Sequence, residues 1–323
     1  RENVSALTIR RGGGVVARGT PRRPPRRPVA HARALPASAV AQQAGPTQAS
    51  PLEQVVVTGR HAKDRAVRDS PDRVDVLTPE DLRAAGAVNG ELGQALATLL
   101  PSFNFPRQSN SGGSAHVRAA QLRGMSPDQV LVLVNGKRFH TSALVNSDTK
   151  IGRGTTPVDF NAIPVSAIKR IEVLRDGAGA QYGSDAIAGV INIILDDAPE
   201  GGEVTTTYGA FHTNFRPLGR EITDGQSSFV SAKAGTKLGG AGGFLRAGIE
   251  SNNHDATSRA GPDQIPSGEN PSPANLALQG KRNYAAGDPQ NENYSGWFNA
   301  ELPFGDTVKG YAFGTYTQRR TIG

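Results

Sequence analysis

The alternation of apolar and polar positions divides the chain into two parts. Between about residues 60 and 200, short apolar runs are interleaved with helix-like segments, and residues 130–134 (VLVLV) form a continuous run typical of a buried strand. From residue 201 onward, apolar residues recur at every second position, in segments separated by Gly, Asn and Pro clusters. The pattern predicts an α+β domain with a small mixed sheet and short helices at 60–200, followed by antiparallel strands at 201–323.

Local signals place several element boundaries in the α+β domain. Residues 78–81 (TPED) combine an N-cap threonine, a first-turn proline and an acidic capping-box partner, which predicts a helix start. A second helix is predicted by the apolar spacing from Leu92 to Leu100, and it stops at Pro101. The pair Asn135-Gly136 after the apolar run predicts a type I′ hairpin turn. Further strands are predicted at 73–77, 171–174 and 190–195.

The second part reads as strands that face two different environments. Five strands are predicted, at 203–211, 227–234, 244–250, 296–302 and 308–317. Apolar groups share one face and polar groups the other, as in an outer-membrane strand between lipid and lumen, although a soluble sandwich also alternates. Short connections (237–242 and 303–306) alternate with long polar ones (212–225 and 252–295), which favours the barrel. Five strands would leave open edges, which are costly in lipid, so a partial wall is expected.

Charge is concentrated at the amino terminus. The chain has 36 Lys and Arg against 29 Asp and Glu, a net charge of +7. Residues 1–33 alone hold nine Arg and one Glu, so the rest is close to neutral and no nucleic-acid-binding face is predicted. Residues 1–51 are predicted to be a disordered basic arm or the remnant of a signal peptide, with Ala39-Val40-Ala41 resembling a cleavage site.

The sequence contains no recognisable catalytic or metal-binding pattern. There is no cysteine, the six histidines are scattered, and no G-x-S-x-G, H-E-x-x-H or Walker motif occurs. We therefore expect neither an enzyme nor a bound cofactor or metal. One alternative remains open. The glycine cluster 177–189, with Asp196 further on, superficially matches a dinucleotide fingerprint. That site would need a crossover helix and a parallel strand after the glycines.

A longer motif points to a family. Residues 159–194 read DFNAIPVSAIKRIEVLRDGAGAQYGSDAIAGVINII, which strongly resembles the plug domain of TonB-dependent outer-membrane receptors. Similar stretches follow the family's order at 53–59, 99–103, 121–124 and 130–138. Asn135 stands where the family commonly has Asp, and Asp176 where it usually has Gly; both keep a turn former. The resemblance implies a plug at 60–200 and the first strands of a transmembrane β-barrel at 201–323.

The resemblance also implies partners and function. Residues 52–59 would contain the TonB box, an extended handle that pairs by strand addition with the periplasmic domain of TonB. The expected activity is energy-coupled uptake of a large scarce nutrient across the outer membrane, with a ferric siderophore as the default and cobalamin or glycans as options. The barrel face would contact outer-membrane lipid. Alternatives are a ligand-binding or signalling module, or a truncated receptor without function.

Three groups of residues carry these expectations. The TonB box comprises Glu53, Gln54, Val55, Val56, Val57 and Thr58. The plug motif comprises Arg123, Gly124, Asn135, Gly136, Arg175, Gly177, Tyr182, Gly183, Gly189 and Asn192. Polar residues of the apical loops that would face substrate are Arg107, Gln108, His140, Asn146 and Lys150, with Asn283 and Tyr284 in the long loop. The family further suggests that Arg123 and Arg175 meet barrel carboxylates, for which the alternation offers Glu250 and Glu301.

Overall fold

The computed structural model describes most of the chain after residue 73. The described residues are 74–85, 91–107, 113, 116–147, 151–175, 182–239, 242–263, 272–282, 284–305 and 307–322, with the backbone alone of 3–10 and 16–17. The predicted TonB box, Gln108, Lys150, Gly177 and Asn283 lie outside these residues.

The described elements are strands with a few short helices. The strands are β1 Asn3–Arg10, β2 Val16–Ala17, β3 Val74–Leu77, β4 Phe103–Asn104, β5 Gln121–Leu122, β6 Val130–Val134, β7 Lys137–Arg138, β8 Ile168–Leu174, β9 Gly189–Leu195, β10 Gly202–Phe215, β11 Arg220–Leu238, β12 Gly243–His254, β13 Gln290–Phe304 and β14 Val308–Ile322. The α-helices are α1 Pro79–Ala84, α2 Leu92–Leu99 and α3 Pro273–Leu276. Single 3₁₀ turns include Phe160–Ala162, Val165–Ala167 and Arg216–Leu218.

A five-stranded mixed sheet forms the centre of the α+β domain. Its strand order is β3-β8-β9-β6-β7, and only the β6–β9 pair is parallel. Because β8 and β9 are antiparallel, the glycine cluster between them does not begin a parallel crossover. The dinucleotide alternative is therefore wrong.

The sequence signals for local structure are confirmed here. The Thr78 hydroxyl accepts from the Asp81 N–H at 3.3 Å, and the Asp81 carboxylate accepts from the Thr78 N–H at 2.8 Å, which completes the capping box of α1. Asn135 and Gly136 both have positive φ, at 47° and 73°, as a type I′ turn requires. Helix α2 ends before Pro101, as predicted.

The core of this domain is aliphatic with one aromatic cluster. All five residues of β6 are buried, which explains why that strand shows no alternation in sequence. The rings of Phe103 and Phe160 meet edge to face, with centroids 5.5 Å apart, and Phe105 stands beside both. These rings pack in the same cluster as the apolar face of α2.

The strands after residue 201 form one antiparallel sheet in the order β14-β13-β12-β11-β10. We call β10–β14 the wall sheet. All five predicted strands are present, but they are longer than predicted. The expectation of a long loop at 212–225 is wrong, because β10 and β11 run on to the 3₁₀ turn Arg216–Leu218. The backbone groups there pair with each other, so polar composition alone misplaced the loop. The connection between β12 and β13 is long, as predicted.

The two faces of the wall sheet differ as the alternation predicted. On β12, Arg246 and Glu250 are buried against the α+β domain, whereas Ile249 is 67% exposed on the opposite face. Strand β14 departs from the expectation that its apolar residues face outward. Tyr311 and Phe313 share the inner face, because they pair directly with Glu301 and Asn299, and Phe313 packs against the domain core.

The amino-terminal arm also differs from the prediction in part. Strand β1 pairs antiparallel with β10, and β2 pairs with β1. Disorder was predicted for 1–51, but the edge of β10 offers a row of unpaired backbone groups, and an extended stretch can satisfy them whatever its composition. Among the described residues, no helix is long and apolar enough to cross a membrane.

Candidate functional site

The candidate site is the interface at which the α+β domain docks onto the inner face of the wall sheet. Its first contact is the loop that precedes β8. Both terminal nitrogens of Arg319 donate to the two carboxylate oxygens of Asp159, and the Arg319 Nη1 to Asp159 Oδ1 distance is 3.2 Å. The Thr317 hydroxyl, two residues away on the same face of β14, donates to the Ala162 carbonyl at 2.9 Å. The fork of Arg319 thus holds the loop in one orientation.

A second contact lies six residues further along the same loop. The buried carboxylate of Glu250 accepts the backbone N–H groups of Val165 at 3.3 Å and Ser166 at 2.9 Å. These are first-turn N–H groups of the 3₁₀ turn Val165–Ala167, which have no partner within the turn. The indole N–H of Trp297 donates to the Ser166 hydroxyl at 3.0 Å. Strands β12 and β13 therefore form hydrogen bonds with the backbone of the domain as well as with its side chains.

A third contact fixes the carboxyl end of β9, where the chain leaves the α+β domain. The Asp196 carboxylate forms ion pairs with the Lys233 ammonium at 2.8 Å and with the Arg246 Nε at 3.1 Å. Arg246 also donates to the Gly201 carbonyl at 2.6 Å, and the Asn299 amide donates to the Asp196 carbonyl at 3.1 Å. Burial pushes the pKa of Asp196 upward, but the hydrogen bonds from Lys233 and from a backbone N–H, with the two positive charges, hold its pKa below the ordinary value.

The plug-motif asparagines organise the domain around the type I′ turn, and Asn135 also joins it to the wall sheet. The Asn135 Oδ1 accepts from the Leu195 N–H at 2.9 Å, and its Nδ2 donates to the Asn299 Oδ1 at 3.3 Å. The Asn192 Oδ1 accepts from the Gly136 N–H at 3.0 Å, and its Nδ2 donates to the Glu172 carboxylate at 3.2 Å. This buried network ties the type I′ turn to the sheet centre, and it needs an amide at both asparagine positions because each side chain donates and accepts.

The remaining plug-motif residues have conformational and packing roles. Arg123 and Gly124 occupy consecutive positive φ values, 57° and 73°, in the turn after β5. Gly189 has a φ of 143°, and a Cβ there would lie 2.5 Å from the Leu174 carbonyl oxygen. Tyr182 packs against the small cluster on the second face of the sheet, and burial together with the charge of Glu172 raises the pKa of its phenol. Gly183, with a φ of 91°, precedes a 3₁₀ turn.

The charge pairs of the four residues expected from the family to form plug–barrel contacts differ from that expectation. Arg175 pairs with Asp75 inside the domain, and Arg123 Nη1 donates to the Arg175 carbonyl at 3.0 Å. Glu301 pairs with Lys309 inside the wall sheet at 2.8 Å. At Asp159 and Asp196 the interface instead joins carboxylates of the domain to cations of the wall sheet. The reverse polarity occurs once among the described ion pairs of the two parts, between Arg83 and Glu203 at 3.5 Å. Glu250 accepts from backbone N–H groups. The alternation predicts that Glu250 faces inward, whereas its partners follow from the three-dimensional arrangement.

Several residues were not predicted from the sequence to lie at this interface. These are Asp159, Asp196, Lys233, Trp297 and Arg319. One signal was available, because Arg or Lys on the polar face of a strand predicted to line a plugged lumen needs an acidic partner on the plug. The partner's identity requires the three-dimensional arrangement, since Arg319 and Asp159 are 160 positions apart.

The predicted apical residues occupy different environments. Arg107 joins the domain to the long β12–β13 connection through Asp288, and it also contacts Glu91 at 3.4 Å. The His140 ring packs on Phe139, with centroids 4.3 Å apart. Asn146 was expected to face substrate, but it is only 1% exposed, because its backbone pairs with Thr155 across a closed loop. Among the described residues, no cluster of His, Asp or Glu could hold a metal ion.

A small mixed-sheet domain thus lies against the polar face of an antiparallel sheet whose other face is largely apolar. A family model described as the TonB-dependent receptor plug domain matches residues 66–190. Residues 66–190 are therefore a plug domain of the TonB-dependent receptor family, and the α+β domain is called the plug below.

The chain is also similar to proteins of known name. The vitamin B12 transporter BtuB of Vibrio cholerae is 31% identical over 192 residues, which are 59% of this chain and 28% of that protein. The ferric enterobactin receptor PirA of Pseudomonas aeruginosa is 39% identical over 121 residues, 38% of this chain and 16% of that protein. The crystal structure of the siderophore receptor PirA from Pseudomonas aeruginosa aligns with a TM-score of 0.46 at 20% identity, over 77% of this chain and 36% of that one. The chain spans at most 28% of the length of these two curated relatives.

Proposed function

We propose that the chain belongs to an energy-coupled receptor that takes up a large, scarce nutrient across the outer membrane. A lumen wide enough for such a nutrient would leak unless a folded domain filled it, and the plug is that domain. The observation that carries the proposal is the interface itself. Charge pairs and hydrogen bonds to backbone groups join plug and wall sheet at three places, beside the apolar contacts of Trp297 and Phe313. Such contacts can be exchanged for water at modest cost, so the plug can leave its seat and return.

The outer face of the wall sheet supports a membrane location. On β13, every outward-facing position from Tyr294 to Phe304 holds an uncharged residue, and Tyr294, Phe298, Leu302 and Phe304 are large and apolar or aromatic. They span ten residue steps, about 34 Å along the strand at ~3.4 Å each. A tilt of about 40° reduces this to about 26 Å of height, close to the ~25 Å apolar band of outer-membrane barrels. The next outward position, Glu292, pairs in register with Arg320. Charged residues therefore begin at the height where the apolar band is expected to end.

The proposed energy source is mechanical, because the outer membrane has no ATP. We infer that Glu53 to Thr58 is the handle through which TonB pulls on the plug. Three consecutive valines and a threonine favour the extended conformation needed for strand addition to a sheet edge. Proline removes a backbone donor and disrupts such pairing. We expect V56P to abolish binding of the chain to the purified periplasmic domain of TonB, measured by calorimetry. Q48P, a proline placed outside the box, should leave binding intact, and equal binding by both variants would contradict the handle.

The proposed substrate is a ferric siderophore, with cobalamin as the alternative. The named relatives are a vitamin B12 transporter and a ferric enterobactin receptor, and both ligands are large molecules that carry their own metal. The plug therefore needs no metal ligands of its own. Binding of ferric enterobactin and of cyanocobalamin to the chain in detergent, followed by quenching of Trp297 fluorescence, discriminates between them. Saturable quenching by one only would assign the class, and binding of neither would argue against both.

A further inference from the structure

The described parts of the long connection between β12 and β13 fold back on themselves beside the plug. Backbone bonds join its two arms, from the Thr257 N–H to the Asp288 carbonyl at 3.0 Å and from the Arg259 N–H to the Ala286 carbonyl at 2.7 Å. The Thr257 hydroxyl also accepts from the Asp288 N–H at 2.9 Å. We call residues 255–263 and 284–289 the loop arms. Their pairing fixes the backbone of Asp288, so its side chain points in a set direction.

That side chain meets the plug at Arg107. The guanidinium of Arg107 donates to the Asp288 carboxylate through Nη1 and contacts Glu91 through Nη2 at 3.4 Å. Arg107 is 36% exposed, so part of its planar fork is open to solvent. Asp288 is half as exposed, at 18%. The pair therefore joins a solvent-accessible plug cation to a carboxylate held by the loop arms.

The plug side of this contact leads into the domain core. Glu91, the residue before α2, also accepts from Arg118 at 3.1 Å. Arg118 is buried, lies over the Phe105 ring at 3.9 Å and donates to the carbonyls of Phe105 and Pro106. Burial lowers the pKa of Arg118 to about 10, against the opposing effect of Glu91, so it stays charged at neutral pH. Glu91 is thus shared between Arg118, which is buried and held by several contacts, and Arg107, which is exposed enough to exchange its partners.

We propose that Arg107 is an anion-sensitive latch between the loop arms and the plug. Negatively charged oxygen atoms of an arriving ligand compete with Asp288 for the open fork of Arg107. When they succeed, the loop arms are released and Glu91 is left to Arg118, so the start of α2 responds to occupancy of the outer side. The inference rests on the proposed receptor function but concerns the coupling alone, which is measurable without TonB and without transport.

The other end of the plug provides a matched control. Arg83 is also an exposed arginine with a carboxylate on its own domain, Glu80, and one on the wall sheet, Glu203 at 3.5 Å. It lies next to the first residues of β10, whereas Arg107 contacts the connection between β12 and β13. Removing either arginine deletes one exposed cation with two partners. Only Arg107 should affect the loop arms.

Hydrogen–deuterium exchange of the whole chain in detergent micelles tests the latch. We expect R107A and D288N each to speed exchange in the loop arms by about two- to five-fold, the effect of losing one partly exposed ion pair. The double variant should exchange no faster than the single ones, and R83A should match the parent chain. D288N keeps the side-chain shape, so it guards against a folding defect in R107A. Unchanged exchange in both single variants, or an additive double variant, would overturn the latch.

Citrate serves as the probe for anion sensitivity. Millimolar citrate should speed exchange in the loop arms of the parent chain and leave R107A unaffected, with sodium chloride of equal ionic strength as the reference. An equal citrate effect on both proteins, or none on the parent, would overturn the anion-sensing step. Neither result depends on TonB binding or on nutrient identity, so failure of the latch is distinguishable from failure of the receptor assignment.

Discussion

Replacing Glu250 by alanine tests whether the wall sheet holds the plug through backbone groups. The carboxylate accepts two N–H groups, at 3.3 Å from Val165 and 2.9 Å from Ser166, and only 7% of Glu250 is exposed. In E250A both donors lose their acceptor while remaining covered. Each unsatisfied buried donor costs about 1–3 kcal/mol, so about 2–6 kcal/mol of docking free energy should disappear. That is a large share of the ~5–15 kcal/mol that stabilises a typical domain.

The only tryptophan in the chain reports on this contact. Trp297 is 4% exposed and donates to the hydroxyl of Ser166, so its emission should shift to longer wavelength when the plug leaves its seat. Urea titration in detergent then follows undocking. With a slope of about 2–3 kcal/mol per molar urea, the loss predicted above lowers the midpoint by about 1–2 M.

Glu301 provides the matched control for this experiment. It lies on the same inner face as Glu250, but its partner is Lys309 on the neighbouring strand, and both side chains are partly exposed. E301Q should therefore change the midpoint little, as expected for a surface ion pair. If E250A and E301Q shift the midpoint equally, or if Trp297 emission is unaffected in E250A, the carboxylate does not hold the plug and the reasoning fails.

Three further predictions concern other contacts of the same interface. R319A and D159N should each cost about 1.5–3 kcal/mol of docking free energy, as charged hydrogen bonds do, and the double variant should cost no more than the larger single one in the urea assay. The carboxylate of Asp196 has a pKa held below its ordinary 3.8, so its stabilisation is fully present above that value and is lost as pH falls through the lowered folded-state pKa. Acid titration of Trp297 emission should show this loss in the parent chain and not in D196N. G189A should strongly destabilise the plug itself, because a Cβ there would lie 2.5 Å from the Leu174 carbonyl oxygen on the neighbouring strand. G136A, with nothing within 4 Å of its Cβ, should cost only about 1–2 kcal/mol of backbone strain. Thermal unfolding compares the two variants, and equal losses would refute the steric argument.

Local structure was predictable here because its causes are local. The capping box at Thr78 and Asp81 and the type I′ turn at Asn135 and Gly136 each depend on residues a few positions apart, and both are confirmed. The faces of β11, β12 and β13 followed from period-two alternation, which needs no knowledge of the partner. Family resemblance extended this to the class of domain, and the match of the plug-domain family model to residues 66–190 confirms the resemblance.

The interface was less predictable because alternation predicts which face of the sheet a side chain occupies, but not which part of the plug lies opposite it. Glu250 and Glu301 share the inner surface, yet one meets backbone donors of the plug and the other a lysine of its own hairpin. Which inward charge meets which plug group depends on strand register and on how far the plug extends along the wall sheet. The outward placement expected for Tyr311 failed for a related reason, since register with Glu301 puts it inside.

The short join between plug and wall sheet has a consequence for how firmly each contact must bind. Only Asp196 to Gly201 separate β9 from β10, and Arg246 clasps both ends of that join. A tether this short keeps the two parts at a local concentration in the millimolar range or above. Contacts that would be too weak between separate molecules are then sufficient for re-docking. The contacts can therefore break and re-form, and the plug returns to the wall sheet without a diffusive search.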